Sequence, residues 1–222
     1  MKHLTGIMER TELDTIISEL RARYPDGDKC SLGFSSAFQL LVSTILSAQC
    51  TDVRVNKVTP ALFERFPDAK SMAECDTGEL ESLIKSCGLY HSKAANIRSC
   101  ARMIVNEFGG EVPDDLDDLV KLPGTGRKTA NLVMGEWYKE PAYVIDTHVK
   151  RIWHLLGITG STTPEAIERD LRALIPPDDP SSADALALSH LLITHGRNTC
   201  VAGRPECSDC CIKEHCAHYI AL

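Results

Sequence analysis

The sequence lacks the features that mark membrane proteins and secreted proteins. No hydrophobic run in its 222 residues reaches the length that a bilayer-spanning helix needs. The N-terminus, Met-Lys-His-Leu-Thr, has no apolar segment of the signal-peptide type. Aromatic residues make up only 5% of the chain, whereas 43% of it is hydrophobic, which is ordinary for a globular protein. We therefore expect a cytoplasmic globular protein with a substantial hydrophobic core.

An excess of positive charge is also lacking. The net charge is −7, the opposite of what a nucleic-acid-binding protein is expected to carry. The charges are unevenly distributed, however, because an acidic block between residues 111 and 118 is followed by basic residues. These basic residues are Lys121, Arg127, Lys128, Lys150 and Arg151. A dipolar surface of this kind is compatible with weak, salt-sensitive binding to a polyanion.

Strand-like alternation of apolar and polar residues is absent, and short helical patterns follow one another along the chain. We predict an all-α fold without internal repeats. Residues that favour helix N-caps precede several of these patterns. The predicted N-caps are Ser36, Asp52 and Thr163, and helices are predicted to open at Ser92 and at Ser182, the latter before the segment 185–194.

One segment reads as two helices joined by a glycine-rich turn. Leu116, Leu119 and Val120 follow a helical spacing, and Pro123-Gly124 ends that helix. A second helix is predicted from Arg127. Glycines at 124 and 126 would let backbone N–H groups at the start of this helix approach a phosphate closely. A purely structural hairpin remains the alternative, because glycine-rich turns between helices are common.

Lys128 falls in the first turn of the second helix, where the helix dipole disfavours a cation. A neutral lysine amine is a nucleophile, and neighbouring cations or desolvation make it accessible near neutral pH. A solvated surface lysine is the other interpretation. Asp146 also has two compatible interpretations, as the N-cap of a helix running to Leu156 or as a functional carboxylate facing Lys128.

Ten cysteines are present, and five of them lie within residues 200–222. Four of these follow the spacing C-x6-C-x2-C-x5-C, which suits either tetrahedral zinc or a 4Fe–4S cluster. His215 and His218 would be acceptable additional zinc ligands. Cys211 falls outside the pattern and is interpreted as a non-ligand. The other five cysteines are scattered and are expected to be reduced.

The segment Leu122–Ala130, followed by Val144–Val149, resembles the helix-hairpin-helix and Gly/Pro-Asp signature of the endonuclease III family of DNA glycosylases. The resemblance covers nearly the whole chain. It implies a lobe of six helices that contains the hairpin, at residues 29–138. It also implies an iron–sulfur cluster lobe formed by residues 1–28 and 139–222.

The activity implied by the resemblance is that of a bifunctional DNA N-glycosylase and apurinic/apyrimidinic (AP) lyase in base excision repair. Such an enzyme removes oxidised pyrimidines and cleaves the strand 3′ to the AP site by β-elimination. Lys128 would be the nucleophile and Asp146 its partner. The implied substrate is double-stranded DNA with a damaged base or an abasic site, bound by a monomer at a bacterial or archaeal nucleoid. The implied 4Fe–4S ligands are Cys200, Cys207, Cys210 and Cys216.

The resemblance also assigns DNA contacts. Gln49 matches the family's void-filling glutamine and Leu89 its intercalating leucine, and Gly124, Gly126 and Arg127 belong to the DNA-binding hairpin. Without the resemblance, Gln49 would be interpreted as a polar residue at the end of a helix, and Leu89 as an ordinary hydrophobic residue in a turn. Cys87 stands where the family often has a larger aliphatic residue, which predicts a weaker wedge.

Three other functions remain open. The first is a noncatalytic DNA-binding module, and the second is a zinc-stabilised interaction protein. The third is a monofunctional mismatch adenine glycosylase. We expect Lys128, and the end of the chain six residues after Cys216, to disfavour this third function.

Overall fold

The computed structural model describes residues 10–179, 182 and 184–222. No β-strand occurs in these residues, so the predicted all-α class is confirmed. None of the described helices is long and apolar enough to cross a membrane. The helices are, in chain order, α1 (Arg10–Arg23), α2 (Ala37–Ser47), α3 (Asp52–Arg65), α4 (Ala69–Glu74), α5 (Thr77–Ile84), α6 (Tyr90–Glu107), α7 (Leu116–Leu119), α8 (Arg127–Val133), α9 (Thr147–Leu156), α10 (Pro164–Leu174), α11 (Ala185–Asn198) and α12 (Ala217–Ile220).

The chain divides into two compact units. The central unit is Cys30–Glu140 and contains α2 to α8. The terminal unit joins the segment that ends at Lys29 to Pro141–Leu222, and it contains α1 and α9 to α12. Residues 1–9, which the sequence analysis placed in the iron–sulfur lobe, lie outside the described residues.

The core of the central unit is built around α2, whose residues are mostly apolar and almost all buried. This helix packs against α3, α6 and α8, while α4 and α5 pack against α6. The π-helical segment Met134–Tyr138 continues directly from α8. Because α8 packs on the buried α2, the start of α8 is held by the core.

The terminal unit has its own core, in which α11 packs against both α1 and α9. Leu13, Ile16 and Leu20 of α1 are fully buried there. Trp153 of α9 is 2% exposed and is among the largest side chains in this core. The segment of residues 142–145, which leads into α9, is also buried. The beginning of α9 is therefore fixed by apolar packing on both sides of Asp146.

Two of the predicted caps are confirmed. The Ser36 hydroxyl accepts a hydrogen bond from the Gln39 backbone N–H at the start of α2, and Thr163 accepts one from Ala166 at the start of α10. In α10 the first helical residue is Pro164, which needs no backbone donor at that position.

Three predicted helix starts were wrong. Thr51 caps α3, and Asp52 is its first helical residue. The helix α6 begins at Tyr90, two residues before Ser92. The helix α11 begins at Ala185, whereas the Ser182 hydroxyl donates to the Pro177 carbonyl. In α3 the neighbouring Thr51 takes the cap through its own hydroxyl, which accepts from the Arg54 N–H, whereas α6 starts after the left-handed backbone of Leu89.

Candidate functional site

The predicted hairpin is present in the central unit. Asp115 caps α7 by accepting hydrogen bonds from the N–H groups of Asp117 and Asp118. The turn that follows is closed by a 3.0 Å hydrogen bond from the Thr125 N–H to the Leu122 carbonyl. The helix α8 then begins at Arg127. The sequence prediction of helix, glycine-rich turn and helix is confirmed.

The two glycines of the turn serve different purposes. Gly124 has φ +80°, a left-handed conformation, and a Cβ there would lie 3.0 Å from the Cβ of Asn96 on α6. Gly126 is the N-cap of α8 and has extended backbone. A Cβ at Gly126 would meet no heavy atom of the described residues within 4 Å. Gly124 is therefore required by the fold, whereas Gly126 leaves open space beside the first amides of α8.

Lys128 is exposed in the first turn of α8, next to the exposed Arg127. Its amine is thus accessible to a large substrate. Burial by the protein alone does not desolvate it, so any desolvation of this amine must come from a bound molecule.

Asp146 lies at the start of α9 in the terminal unit. Its Oδ1 accepts hydrogen bonds from the N–H groups of His148 and Val149, each at 2.8 Å. The predicted N-cap is therefore confirmed. Both capping bonds use the same oxygen atom, and the residue is half-buried.

Three basic residues noted in the sequence bind to the protein itself. The Lys121 amine forms a 2.7 Å ion pair with Asp118. The Lys150 amine donates to the Thr162 carbonyl at 2.5 Å. The Arg151 guanidinium donates to the carbonyls of Cys200 and Gly196, at 2.5 and 3.2 Å. Arg151 thus links α9 to residues 200–216, which we call the cysteine segment. The sequence did not reveal this role.

Gln49 and Leu89 share an unusual backbone conformation in the central unit. Gln49 has φ +54° and Leu89 has φ +47°, and both side chains are exposed. Residues other than glycine seldom adopt this left-handed region. Leu89 is 60% exposed, which is unusual for a leucine in a well-packed unit. Each residue stands at the tip of a turn, after α2 and before α6 respectively.

A buried lysine that the sequence analysis missed lies under these two turns. Lys93 of α6 is only 4% exposed, and its ammonium donates to the carbonyls of Leu46 and Cys87, both at 2.8 Å. The helical pattern contains a signal, because Lys93 is in register with the buried residues Ile97 and Ala101.

Four of the five cysteines in residues 200–222 line one small cavity in the terminal unit. These are Cys200, Cys207, Cys210 and Cys216, together with apolar residues of α9. Cys211, the fifth cysteine of residues 200–222, does not line this cavity. Burial raises the pKa of the Cys210 thiol to about 12 and also raises the pKa of Cys200.

No three His, Cys, Asp or Glu side chains among the described residues are grouped so that they could hold a single metal ion. The four cysteines are instead spread around the cavity. The two histidines differ in position, since His218 lines the cavity whereas the Nδ1 of His215 lies 3.2 Å from Glu12.

Comparison with known proteins agrees with this geometry. Residues 42–177 match the family described as HhH-GPD superfamily base excision DNA repair protein. The endonuclease III of Synechocystis sp. is 49% identical over 207 residues, which cover 93% of this chain and 90% of the relative. A solved structure of a non-covalent endonuclease III–DNA complex is 36% identical, with a TM-score of 0.86, and the match covers 96% of this chain and 98% of that one.

A solved structure of a trapped endonuclease III–DNA covalent intermediate matches with the same identity, coverage and TM-score. The match with the family extends over more than half of the chain and includes the hairpin and Asp146. The chain belongs to the HhH-GPD superfamily of base excision DNA repair proteins and, within it, to the endonuclease III family.

Proposed function

We propose that this protein is a bifunctional DNA N-glycosylase and AP lyase that removes oxidised pyrimidines from double-stranded DNA. The observation that carries the proposal is the exposed amine of Lys128, placed in the first turn of α8 directly after the glycine turn. A solvated surface lysine would gain more from the other end of a helix. A solved relative has been trapped in a covalent complex with DNA, which supports a nucleophilic mechanism.

The first chemical steps are assigned to Lys128. Its neutral amine attacks C1′ of the deoxyribose, and the bond from C1′ to the base breaks, so that the base leaves with its electron pair and takes up a proton. Loss of the amine proton and opening of the sugar ring leave a Schiff base between Lys128 and C1′. Removal of a proton from C2′ then expels the phosphate on C3′, which cleaves the strand 3′ to the abasic site.

Asp146 is assigned the stabilisation of positive charge on the sugar and the transfer of protons. Its Oδ1 is engaged by the two backbone N–H groups of α9, which fix the direction of the carboxylate. We assign the chemical role to Oδ2. A carboxylate held by its own helix keeps its orientation when substrate binds, which favours preorganised catalysis.

Gln49 and Leu89 are assigned to contacts with the duplex from which the damaged base has been extruded. A damaged base must leave the stack before the amine reaches C1′, which costs a few kcal/mol. Apolar wedges commonly offset that cost by filling the gap. Leu89 is 60% exposed at the tip of a rigid turn, and Gln49 is exposed at another turn of the same unit. Gly124, Gly126 and Arg127 are assigned to the DNA backbone.

A 4Fe–4S cluster is proposed for the terminal unit, with Cys200, Cys207, Cys210 and Cys216 as its ligands. The donor set fits, because four thiols line one cavity with an apolar wall, and buried thiolates need a bound cation to be stable. When bound, the cluster would crosslink the C-terminal segment and stabilise the fold. Visible absorption of the purified protein would support the cluster, whereas zinc would give a colourless protein.

The deciding experiment is borohydride trapping on duplex DNA that contains one thymine glycol or one abasic site. Wild type should give a covalent protein–DNA adduct and a cleaved strand, and Lys128→Ala should give neither while still binding DNA. Lys121→Ala is the matched control, since it removes one positive charge from the same hairpin without removing the nucleophile.

Each alternative function has its own outcome in this experiment. Base loss without an adduct in wild type would point to a monofunctional glycosylase. Binding without base loss would point to a noncatalytic DNA-binding module. An adduct that persists in Lys128→Ala would assign the Schiff base to another amine.

A further inference from the structure

The ammonium of Lys93 joins two turns that are distant in sequence. It donates to the Leu46 carbonyl in the last turn of α2 and to the Cys87 carbonyl at the end of the 3-10 helix Lys85–Cys87, both at 2.8 Å. Gln49 follows Leu46 by three residues, and Leu89 follows Cys87 by two. One nitrogen atom therefore holds the base of both turns that carry the exposed Gln49 and Leu89 side chains.

The bond to Leu46 completes the C-terminus of α2. The last carbonyls of a helix have no partner within it. Those of Thr44, Ile45 and Ser47 accept hydrogen bonds from groups in residues 47–50. The Leu46 carbonyl accepts its bond from Lys93 instead. The ammonium thus lies at the negative end of the α2 dipole, where a cation is favoured.

The Leu89 turn leads straight into α6, where the Lys93 backbone N–H donates to the Leu89 carbonyl at 3.0 Å in the ordinary hydrogen bond of a first helical turn. Left-handed backbone at Gln49 and Leu89 costs free energy and persists only where surrounding contacts enforce it. Lys93 supplies such contacts to both turns. Its amine fixes where each turn leaves the core.

The choice of lysine is costly if only packing is needed. Lys93 is buried in the first turn of α6, where the dipole of its own helix opposes a positive charge. A buried charge carries a desolvation cost that a well-packed apolar side chain avoids. The lysine therefore contributes something that an apolar side chain of the same shape would not. Its ammonium donates directional hydrogen bonds to two carbonyl oxygens.

We propose that Lys93 is a positioning residue for base extrusion, which holds the Gln49 and Leu89 turns in the geometry that enters the DNA. This rests on the proposed function. Lys93 makes no contact with substrate in this scheme. It acts only through the two turns, and its removal should loosen both of them without touching the hairpin or Asp146.

The test compares Lys93→Met with Arg102→Met. The control lies on the same helix, and the Arg102 guanidinium also donates to a backbone carbonyl, that of Ala73 in the last turn of α4. Hydrogen–deuterium exchange should show about tenfold faster exchange of amides in residues 47–51 and 87–90 in Lys93→Met. In Arg102→Met the exchange in these turns should equal that of wild type.

Activity provides the second measurement. Single-turnover base excision by Lys93→Met should fall about tenfold on a fully paired duplex, but should stay near wild type when the lesion lies in an unpaired bubble. In a Gln49→Ala/Leu89→Ala background, Lys93→Met should have little further effect on the paired duplex. If Lys93 only supported the fold, Lys93→Met would lower the excision rate equally on the paired duplex and on the bubble. It would also add its own loss to that of the Gln49→Ala/Leu89→Ala background.

The proposal is overturned by unchanged exchange in both turns, or by additive losses in the double-mutant comparison. If Lys93→Met does not fold, Lys93→Arg, which keeps the charge but displaces the donors, is measured in the same way with the same criteria. The exchange measurement needs no activity. Failure of the glycosylase proposal would appear as an absence of base loss in wild type, whatever the exchange of the two turns.

Discussion

The backbone of Gly196 on α11 lies against the side chain of His148 on α9. A Cβ at residue 196 would come within 2.8 Å of both Cβ and Nδ1 of His148, and within 3.1 Å of the Arg151 guanidinium. Two helix backbones approach this closely only where one of them lacks a side chain. The start of α9, with its Asp146 cap, is thus held against α11 by a glycine.

Gly196→Ala should therefore lower the free energy of unfolding by about 1–3 kcal/mol, because the added methyl group overpacks a rigid contact. Urea denaturation measures the change. Gly160→Ala is the control, since a Cβ there meets no heavy atom of the described residues within 4 Å. Equal stability of the two variants would contradict the prediction.

The two hairpin glycines should respond differently to alanine. Gly124→Ala should destabilise the protein by about 1–3 kcal/mol, since alanine is strained at φ +80° and its methyl group would press on Asn96. Gly126→Ala should change stability by less than about 1 kcal/mol but weaken DNA binding, because its methyl group would occupy the space beside the first amides of α8. Thermal unfolding and fluorescence anisotropy with duplex DNA separate the two effects. Loss of stability in Gly126→Ala would refute this division.

Arg151→Met should weaken the cysteine segment. The substitution removes the donors to the Cys200 and Gly196 carbonyls, at a cost of about 1–3 kcal/mol. We expect a lower thermal unfolding temperature and less visible chromophore per chain after purification. Arg169→Met, which alters an exposed arginine of the same unit, is the comparison. An unchanged chromophore content and unfolding temperature would show that the segment holds its shape without Arg151.

Stability should depend on pH through Asp68, the cap of α4. Hydrogen bonds from the backbone and side chain of Ser71 hold the pKa of this carboxyl below its usual range. The unfolded chain therefore binds the proton more readily than the folded one. The stabilising contribution is fully present above the unfolded pKa of about 4, and it is lost as the pH falls through the folded pKa.

Asp68→Asn keeps a good capping residue but has no charge to lose. The difference in unfolding free energy between wild type and this variant should therefore shrink as the pH is lowered from 7 towards 3. Urea denaturation over this range measures the difference. A gap that stays constant with pH would exclude Asp68 as a source of the dependence.

The features that sequence predicted are those decided by neighbours along the chain. The cap at Asp146, the proline at position 164 and the break at Gly124 follow from local backbone rules, and all three occur where expected. The start of α6 escaped prediction because Leu89 adopts left-handed backbone, which no residue-type rule assigns to leucine. The short helix α4 was also missed. It has only six residues, and its N-cap, Asp68, forms a capping box with Ser71.

The features that sequence did not predict depend on partners far along the chain. Lys93 and Leu46 are 47 positions apart, and Arg151 and Cys200 are 49 apart. Nothing in the residue types says that these lysine and arginine side chains turn inward to carbonyl oxygens. Counting cations near a motif therefore does not tell which of these side chains already bind groups of the protein.

The two-segment composition of the terminal unit has a consequence for its synthesis. The apolar face of α1 is completed by α11, and the residues between Lys29 and Pro141 fold as a unit of their own. A ribosome therefore releases α1 long before its partner exists, while the central unit is complete as soon as Glu140 has emerged. The leucines and isoleucines of α1 therefore remain without their α11 partner until most of the chain has been synthesised.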